Sequence, residues 1–318
     1  MQNTNVSAVA QQTQQILAQV RQVIVGKDSQ LKWVLAAILA KGHILLEDIP
    51  GVGKTTMALA FSKTLQLECS RVQFTPDVLP SDVTGYSILD QKSGKMTYQP
   101  GAVLCNLFLA DELNRATSRT QSALLEAMEE GQVTVDGNSY PVPQPFTVIA
   151  TQNPTGAAGT QLLPDSQMDR FMIRLSLGYP GFQDEIAMVM GRQQANPLHA
   201  LVPLMTKEAL IAMQDTVEKT YVHEQVVAYA VNLIAATRCN AMISRGASPR
   251  ATLAVIALAK ALAQIQGRDF VVPEDVKEAA DHALPHRLLM SPTAQAQNKT
   301  AEDVVKQLLA TVPAPRLR

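Results

Sequence analysis

The sequence predicts an α/β fold, a parallel sheet with flanking helices, followed by an all-helical second domain. Three observations predict it. The apolar run Ile44-Leu45-Leu46 meets a tight Pro50-Gly51 turn, and Gly53-Lys54-Thr55-Thr56 then opens a segment, Met57 to Leu65, with helical patterning. A second apolar run, Asn106 to Ala110, ends in Asp111-Glu112. Beyond Gly178-Tyr179-Pro180-Gly181, strand patterns stop and alanine-rich helical segments take over.

Length and composition set the bounds. With 318 residues the chain is long enough for two domains, and 47% hydrophobic with 17% charged residues is ordinary for a globular protein. A net charge of −1 supplies no basic field for nucleic acid. Cys69, Cys105 and Cys239 are widely spaced, with neither metal-ligand spacing nor a disulfide framework, and read as core or incidental thiols. No charged segment followed by an apolar run opens the chain, and no apolar stretch reaches membrane length. The expected location is the cytoplasm, without membrane insertion.

Residues 1–10 are polar and small and are expected to fray. Ile16, Val20, Val23 and Ile24 recur at helical spacing, Val25-Gly26-Lys27-Asp28 breaks the pattern, and Leu31 to Lys41 is a second helix. The strand at Ile44 leads into the glycine loop, where backbone N–H groups converge on a polyphosphate and the helix N-terminus adds its dipole. Lys54 would reach the β- and γ-phosphates and the Thr55 hydroxyl would bind Mg²⁺. The pattern G-x-x-x-x-G-K-[ST] has glycine where this chain has Asp48. Cys69 to Phe74 is a short strand, Pro76 to Gly85 a loop, and Gly85 to Gln99 a hairpin around Lys92-Ser93-Gly94-Lys95.

The strand ending in Asp111-Glu112 brings two carboxylates to the edge where parallel sheets bind ligands. Asp111 would hold Mg²⁺ opposite Thr55, and Glu112 would polarise an attacking water. Alone this is a weak signal, since many strands end in an acidic turn. About fifty to sixty residues beyond a phosphate loop it becomes strong. Ala116 to Glu130 is an amphipathic helix with Leu124, Leu125 and Met128 on one face, stopped by Gly131. Val133-Thr134-Val135 and Tyr140-Pro141-Val142 flank Asp136-Gly137-Asn138 as a second hairpin. Phe146 to Ala150 is a buried strand running into Thr151-Gln152-Asn153-Pro154, where Asn153 is suited to orient a water near a γ-phosphate. A glycine-rich loop then reaches Leu163 to Phe171 and a last strand ends at Leu177. Helices follow over Phe182–Gln194, Lys207–Glu218, Glu224–Thr237, Ala251–Gln266, Pro273–Ala283 and Ala301–Leu309.

Taken together, Pro50-Gly51-Val52-Gly53-Lys54-Thr55, Asp111-Glu112-Leu113-Asn114-Arg115, Ala150 to Pro154 and Leu163 to Phe171 resemble the MoxR family of AAA+ ATPases, over about Val23 to Leu289. Asp48 is similar to a feature of that family, while Asp165-Ser166 stands where Glu-Ala is usual. The resemblance implies a three-layer αβα P-loop domain with parallel strand order 5-1-4-3-2 over residues 1–178, and an all-α helical lid domain over 179–318. It makes residues 85–99 the helix-2 insert hairpin and 131–144 a hairpin before the sensor strand, both facing a pore or a client. It implies ATP contacts at Val25, Gly26, Pro50, Gly51, Val52, Gly53, Lys54, Thr55 and Thr56, with Mg²⁺ at Thr55 and Asp111. Asn153 would be sensor 1, Arg170 the finger supplied to a neighbouring subunit, and Arg250 sensor 2, reaching a γ-phosphate in cis or in trans. Arg115 and Arg119 compete with Arg170 for the trans role, and the bland alternative for Arg170 is a pairing with Asp165 or Asp169.

The implied activity is Mg²⁺-dependent ATP hydrolysis by a homo-oligomeric ring, of hexameric order, that remodels or activates a protein client with a partner bearing a von Willebrand factor A domain. Two other readings stay open: a DNA-associated motor or regulator, disfavoured by the neutral charge, and a nucleotide-gated scaffold without turnover.

Overall fold

The computed structural model describes residues 3–48, 51–92, 94–152, 163–194 and 196–316. In chain order its elements begin with helices α1 (Asn3–Arg21) and α2 (Asp28–Leu39), strand β1 (Ile44–Glu47), α3 (Lys54–Thr64) and β2 (Cys69–Gln73). The segment expected to be a loop contains a short helix, α4 (Pro80–Thr84), and the first hairpin follows as β3 (Gly85–Leu89) and β4 (Met96–Pro100). Next come β5 (Leu107–Asp111), α5 (Ser118–Glu130), the second hairpin β6 (Gln132–Val135) and β7 (Asn138–Pro141), β8 (Thr147–Gln152), α6 (Asp165–Met168) and β9 (Ile173–Leu175). The chain is already helical from Asn3, against the expected fraying of residues 1–10. The reason is a buried stripe, Val9, Thr13, Ile16 and Val20, that the core claims.

Five strands form one parallel sheet in the order β2-β5-β8-β1-β9. Counted along the chain as five core strands, that is the expected order 5-1-4-3-2. Its strands are near-continuous apolar runs because both faces are covered. Alternate residues divide between two cores: Ile44, Leu46, Leu107, Leu109 and Ile149 join the core beneath α1, α2 and α3, while Leu45, Phe108, Ala110, Val148 and Ala150 face α5. All strand C-termini reach one edge, so Glu47, Asp111 and Gln152 lie along it. The two hairpins project beside α4 and are joined by Tyr98 and Tyr140, whose rings stack with centroids 3.7 Å apart and 11° between planes.

The second part holds α7 (Phe182–Gln194), α8 (Lys207–Glu218), α9 (Glu224–Arg238), β10 (Ile243–Arg245), α10 (Pro249–Ile265), α11 (Pro273–Ala283), β11 (Leu289–Met290), α12 (Pro292–Ala296) and α13 (Ala301–Thr311). This part is the expected helical lid, with one short addition: β10 and β11 pair antiparallel through Ile243 and Met290. Strands this short show no periodicity, and their partners lie far apart in the chain. Helix α10 is central, packing on α1, α2, α8, α9 and α11, so the first two helices share one apolar core with the lid helices. No helix among the described residues is long and apolar enough to cross a membrane.

Candidate nucleotide site

The loop between β1 and α3 has the geometry a phosphate needs. Gly51 and Gly53 have φ of +88° and +95°, the left-handed region, and a Cβ on either would meet open space. Gly53 precedes Lys54, the first residue of α3, so the free N–H groups of a helix N-terminus open onto the loop. Lys54 is buried and its Nζ donates to the Asp48 carbonyl at 2.8 Å. Burial lowers its pKa, opposed by the carboxylates of Asp48, Asp111 and Glu112. An ammonium held against a single backbone acceptor is well matched to an anionic ligand. Beside the loop lies a cavity of about 540 Å³, lined by Val25, Gly51, Val52, Gly53 and Thr56 and, from α7, by Met188. Gly26 is absent from that lining. It turns the chain with φ +72°, and a Cβ there would collide with the Asp184 carboxylate of α7.

Asp48 explains its own departure from the glycine pattern. It is 5% exposed, and its carboxylate accepts from Ser176 Oγ at 2.9 Å, from Gly178 N–H at 3.0 Å and from Leu177 N–H. The side chain that replaces glycine ties the loop's entry to the strap leaving β9.

The second motif sits at the same sheet edge. Asp111 Oδ1 accepts from Thr151 Oγ1 at 2.7 Å, and Oδ2 accepts from Arg71 Nη2 at 2.7 Å. Glu112 follows with φ +56°, its N–H donating to Thr151 Oγ1, and its carboxylate takes a 2.7 Å bond from Arg115 Nη1. A threonine hydroxyl and an aspartate are the hard oxygen donors Mg²⁺ takes, and Arg71 already matches a cation to Asp111. Among the described residues no group of three or more His, Cys, Asp or Glu could hold a metal alone. A magnesium ion held here would need phosphate and water oxygens as well. Pro50 and Asn153 lie outside the described residues.

Comparison with known proteins gives the chain a family. Residues 43–173 match the model of the ATPase family associated with various cellular activities, and residues 235–308 match an AAA lid domain. Over 94% of this chain and 81% of its own length, the chaperone MoxR1 of Mycobacterium tuberculosis is 39% identical. The chain belongs to the MoxR family of AAA+ ATPases. An uncharacterized Bacillus subtilis protein, YeaC, is 43% identical over 93% of this chain and 92% of its own. A crystal structure of a provisionally assigned ATPase from Cytophaga hutchinsonii superposes with a TM-score of 0.91 at 35% identity, covering 98% of this chain and 97% of that one.

In this MoxR-family chain the candidate arginines stand apart from the loop. Arg170 precedes β9 and shares Glu129 with Arg250: Arg170 Nε donates to Glu129 Oε2 at 2.7 Å, and Arg250 Nη2 donates to Glu129 Oε1. Glu129 is held below the usual carboxylate range by Arg170 first and Arg250 next. Together with Gly42 and His43 they line a separate cavity of about 360 Å³. His43 enters β1 at its N-terminal end and the phosphate loop leaves at the other, so the four strand residues put about 13 Å between the two edges. Arg170 pairs with neither Asp165 nor Asp169, which are bound instead by Arg245 and Arg287. Arg115 lies against Glu112, and Arg119 is exposed on the first turn of α5.

Sequence reading missed Arg71, Thr151 and Glu129. An arginine on the strand beside the Asp-Glu strand was a usable signal for the first. Thr151 was visible only as part of a turn, and nothing local distinguishes Glu129 from Glu130.

Proposed function

We propose that this protein is an Mg²⁺-dependent ATPase that assembles as a ring of hexameric order, dividing near Gly178 into ATPase core and lid. It uses turnover to remodel or activate a protein client, together with a partner bearing a von Willebrand factor A domain. The observation that carries the ring is the arginine pair. Arg170 and Arg250 lie together at the sheet edge opposite their own phosphate loop, which supports a role for both in trans, at a neighbour's nucleotide. An arginine supplied across subunits makes hydrolysis depend on assembly.

In this reading Lys54 and the loop N–H groups hold the β- and γ-phosphates, and Val25, Val52 and Thr56 border the rest of the nucleotide. Thr55 and Asp111 would hold Mg²⁺, which offsets phosphate charge when bound. Glu112 accepts a proton from the attacking water, and Asn153, by family resemblance, orients that water. Remodelling draws support from the first hairpin, where Tyr86, Ile88, Leu89 and Met96 are exposed apolar side chains on paired strands. MoxR1, a relative described as a chaperone, agrees with it.

The test is ATPase rate per subunit against protein concentration, for wild type, Glu112→Gln and Arg170→Ala. The rate should rise with assembly. Glu112→Gln should bind ATP yet lose turnover. Arg170→Ala should also lose turnover, and regain part of it when mixed with Glu112→Gln subunits. A concentration-independent rate untouched by Arg170→Ala would discard the ring. Turnover that required DNA and faded with salt would make the protein a DNA motor instead.

A further inference from the structure

The Pro285-His286-Arg287 turn has no role in the site described so far, yet its arginine reaches the segment carrying Arg170. The Arg287 side chain is 2% exposed, and all five of its N–H donors are engaged. Nε donates to Asp169 Oδ1 at 2.9 Å, one Nη2 donor to Asp169 O at 3.1 Å and the other to Phe171 O at 2.7 Å. The Nη1 donors go to Met172 O at 3.1 Å and to Ala283 O. Four of five bonds thus fall on residues 169–172, on both sides of Arg170. Burying a guanidinium is costly, and apolar packing generally serves stability as well or better. A planar fork fixes a backbone geometry that apolar packing would leave loose.

A second observation meets it at the same carboxylate. Ser248 is the N-cap of α10, where a serine hydroxyl ordinarily accepts from the helix's own N–H groups. Here it makes no such cap, and its Oγ donates to Asp169 Oδ2 at 2.8 Å. Arg250 follows two residues later. Asp169 therefore joins the residue before Arg170 to the turn before Arg250, and Glu129 spans the same two arginines from the outer side.

We propose that Asp169, clamped by Arg287 and Ser248 of the lid, is a positioning residue that fixes Arg170 and Arg250 at one spacing, so that they act on a neighbour's nucleotide as a unit. This rests on the trans reading given above. Glu129 is the exchangeable member, the carboxylate that a neighbour's phosphate replaces. Asp169 is the permanent one, and it keeps the two arginines in register while Glu129 is displaced. Small misplacements of such groups are costly in rate, about a hundredfold for 1 Å.

The test uses full-length Ser248→Ala, Asp169→Asn and Arg287→Lys, with Arg170→Ala as reference. Affinity for a fluorescent, non-hydrolysed ATP analogue should stay within about twofold, because the subunit's own loop is untouched. Turnover at saturating protein should fall about tenfold or more for Arg287→Lys and Asp169→Asn, and severalfold for Ser248→Ala. Mixing each variant with Glu112→Gln subunits should restore part of the rate, and mixing with Arg170→Ala subunits should not. Normal turnover in Ser248→Ala and Arg287→Lys, with Arg170→Ala inactive, overturns the positioning role alone. Lost turnover that comes with lost analogue binding and is not restored by Glu112→Gln subunits also overturns it, as structural damage. If Arg170→Ala itself is fully active, the trans reading is what fails. Should Arg287→Lys not fold, Ser248→Ala decides, since it removes one hydroxyl and no helix cap.

Discussion

At Asp48 a phosphate-loop pattern expects the smallest residue, and this chain buries a carboxylate. The exchange is understandable once its three donors are counted, because bonds to an ionised acceptor are stronger than neutral ones. Removing the acceptor leaves the Leu177 and Gly178 N–H groups and the Ser176 hydroxyl without it. Asp48→Gly, which restores the common pattern, should therefore destabilise the protein by about 3 kcal/mol, read as a lower midpoint in urea unfolding. A midpoint equal to wild type would mean that water takes over those donors without loss. Lys54 belongs to the same scale: its acceptor is the Asp48 carbonyl, which glycine would keep.

Among elements, the two hairpins behave as one piece. Each is a two-stranded ribbon, marginal by itself in water. The Tyr98–Tyr140 stack joins them, and the Tyr98 hydroxyl donates to Thr84 O at 2.5 Å, anchoring the pair to α4. Tyr140→Ala should cost about 1 kcal/mol beyond lost burial. It should also speed hydrogen exchange at the β3–β4 amides while those of β5 and β8 keep their protection. Unchanged exchange over residues 85–100 would show that the first hairpin stands without the second.

For the whole molecule, His286 and His43 contribute to a pH dependence, together with His282, whose pKa burial also lowers. His286 has Nε2 against Phe171 O and Nδ1 without a partner, and burial, then the charge of Arg287, push its pKa well below the ordinary value. His43 shows part of its ring, but both nitrogens are engaged, by Met128 O and Val148 N–H, and burial lowers its pKa to about 4. These lowered pKa values belong to the folded state, so above about pH 6.5 none of the groups distinguishes folded from unfolded chain. Below that, the unfolded chain binds protons the fold refuses, and stability falls as pH drops toward about 4. His43 and His286 together contribute a slope of up to about 2.7 kcal/mol per pH unit, and His282 adds to it in the same direction. Melting temperature should decline from pH 7 to 5, and His43→Gln should make that decline shallower. A melting temperature flat over that range would mean that these rings are protonated in the fold.

Local and periodic features can be read from the chain alone. The Ile44–Leu46 strand, the loop glycines, the strand ending in Asp111-Glu112 and the stripe of α5 are written in neighbouring residues, and turn chemistry and burial act on neighbours. Family membership was legible for the same reason, since its motifs are short and ordered. Which distant residues share a carboxylate depends on how the folded chain packs. Glu129 with Arg170 and Arg250, Asp169 with Ser248 and Arg287, Arg71 with Asp111 and the β10–β11 pair join residues many positions apart, and no periodicity records such a pairing. Arg170 and Arg250 could be named from the chain, but the sheet edge they occupy could not. That edge depends on the parallel packing of β9 beside β1 and on how the lid helices rest against the sheet, both set by burial across the whole fold.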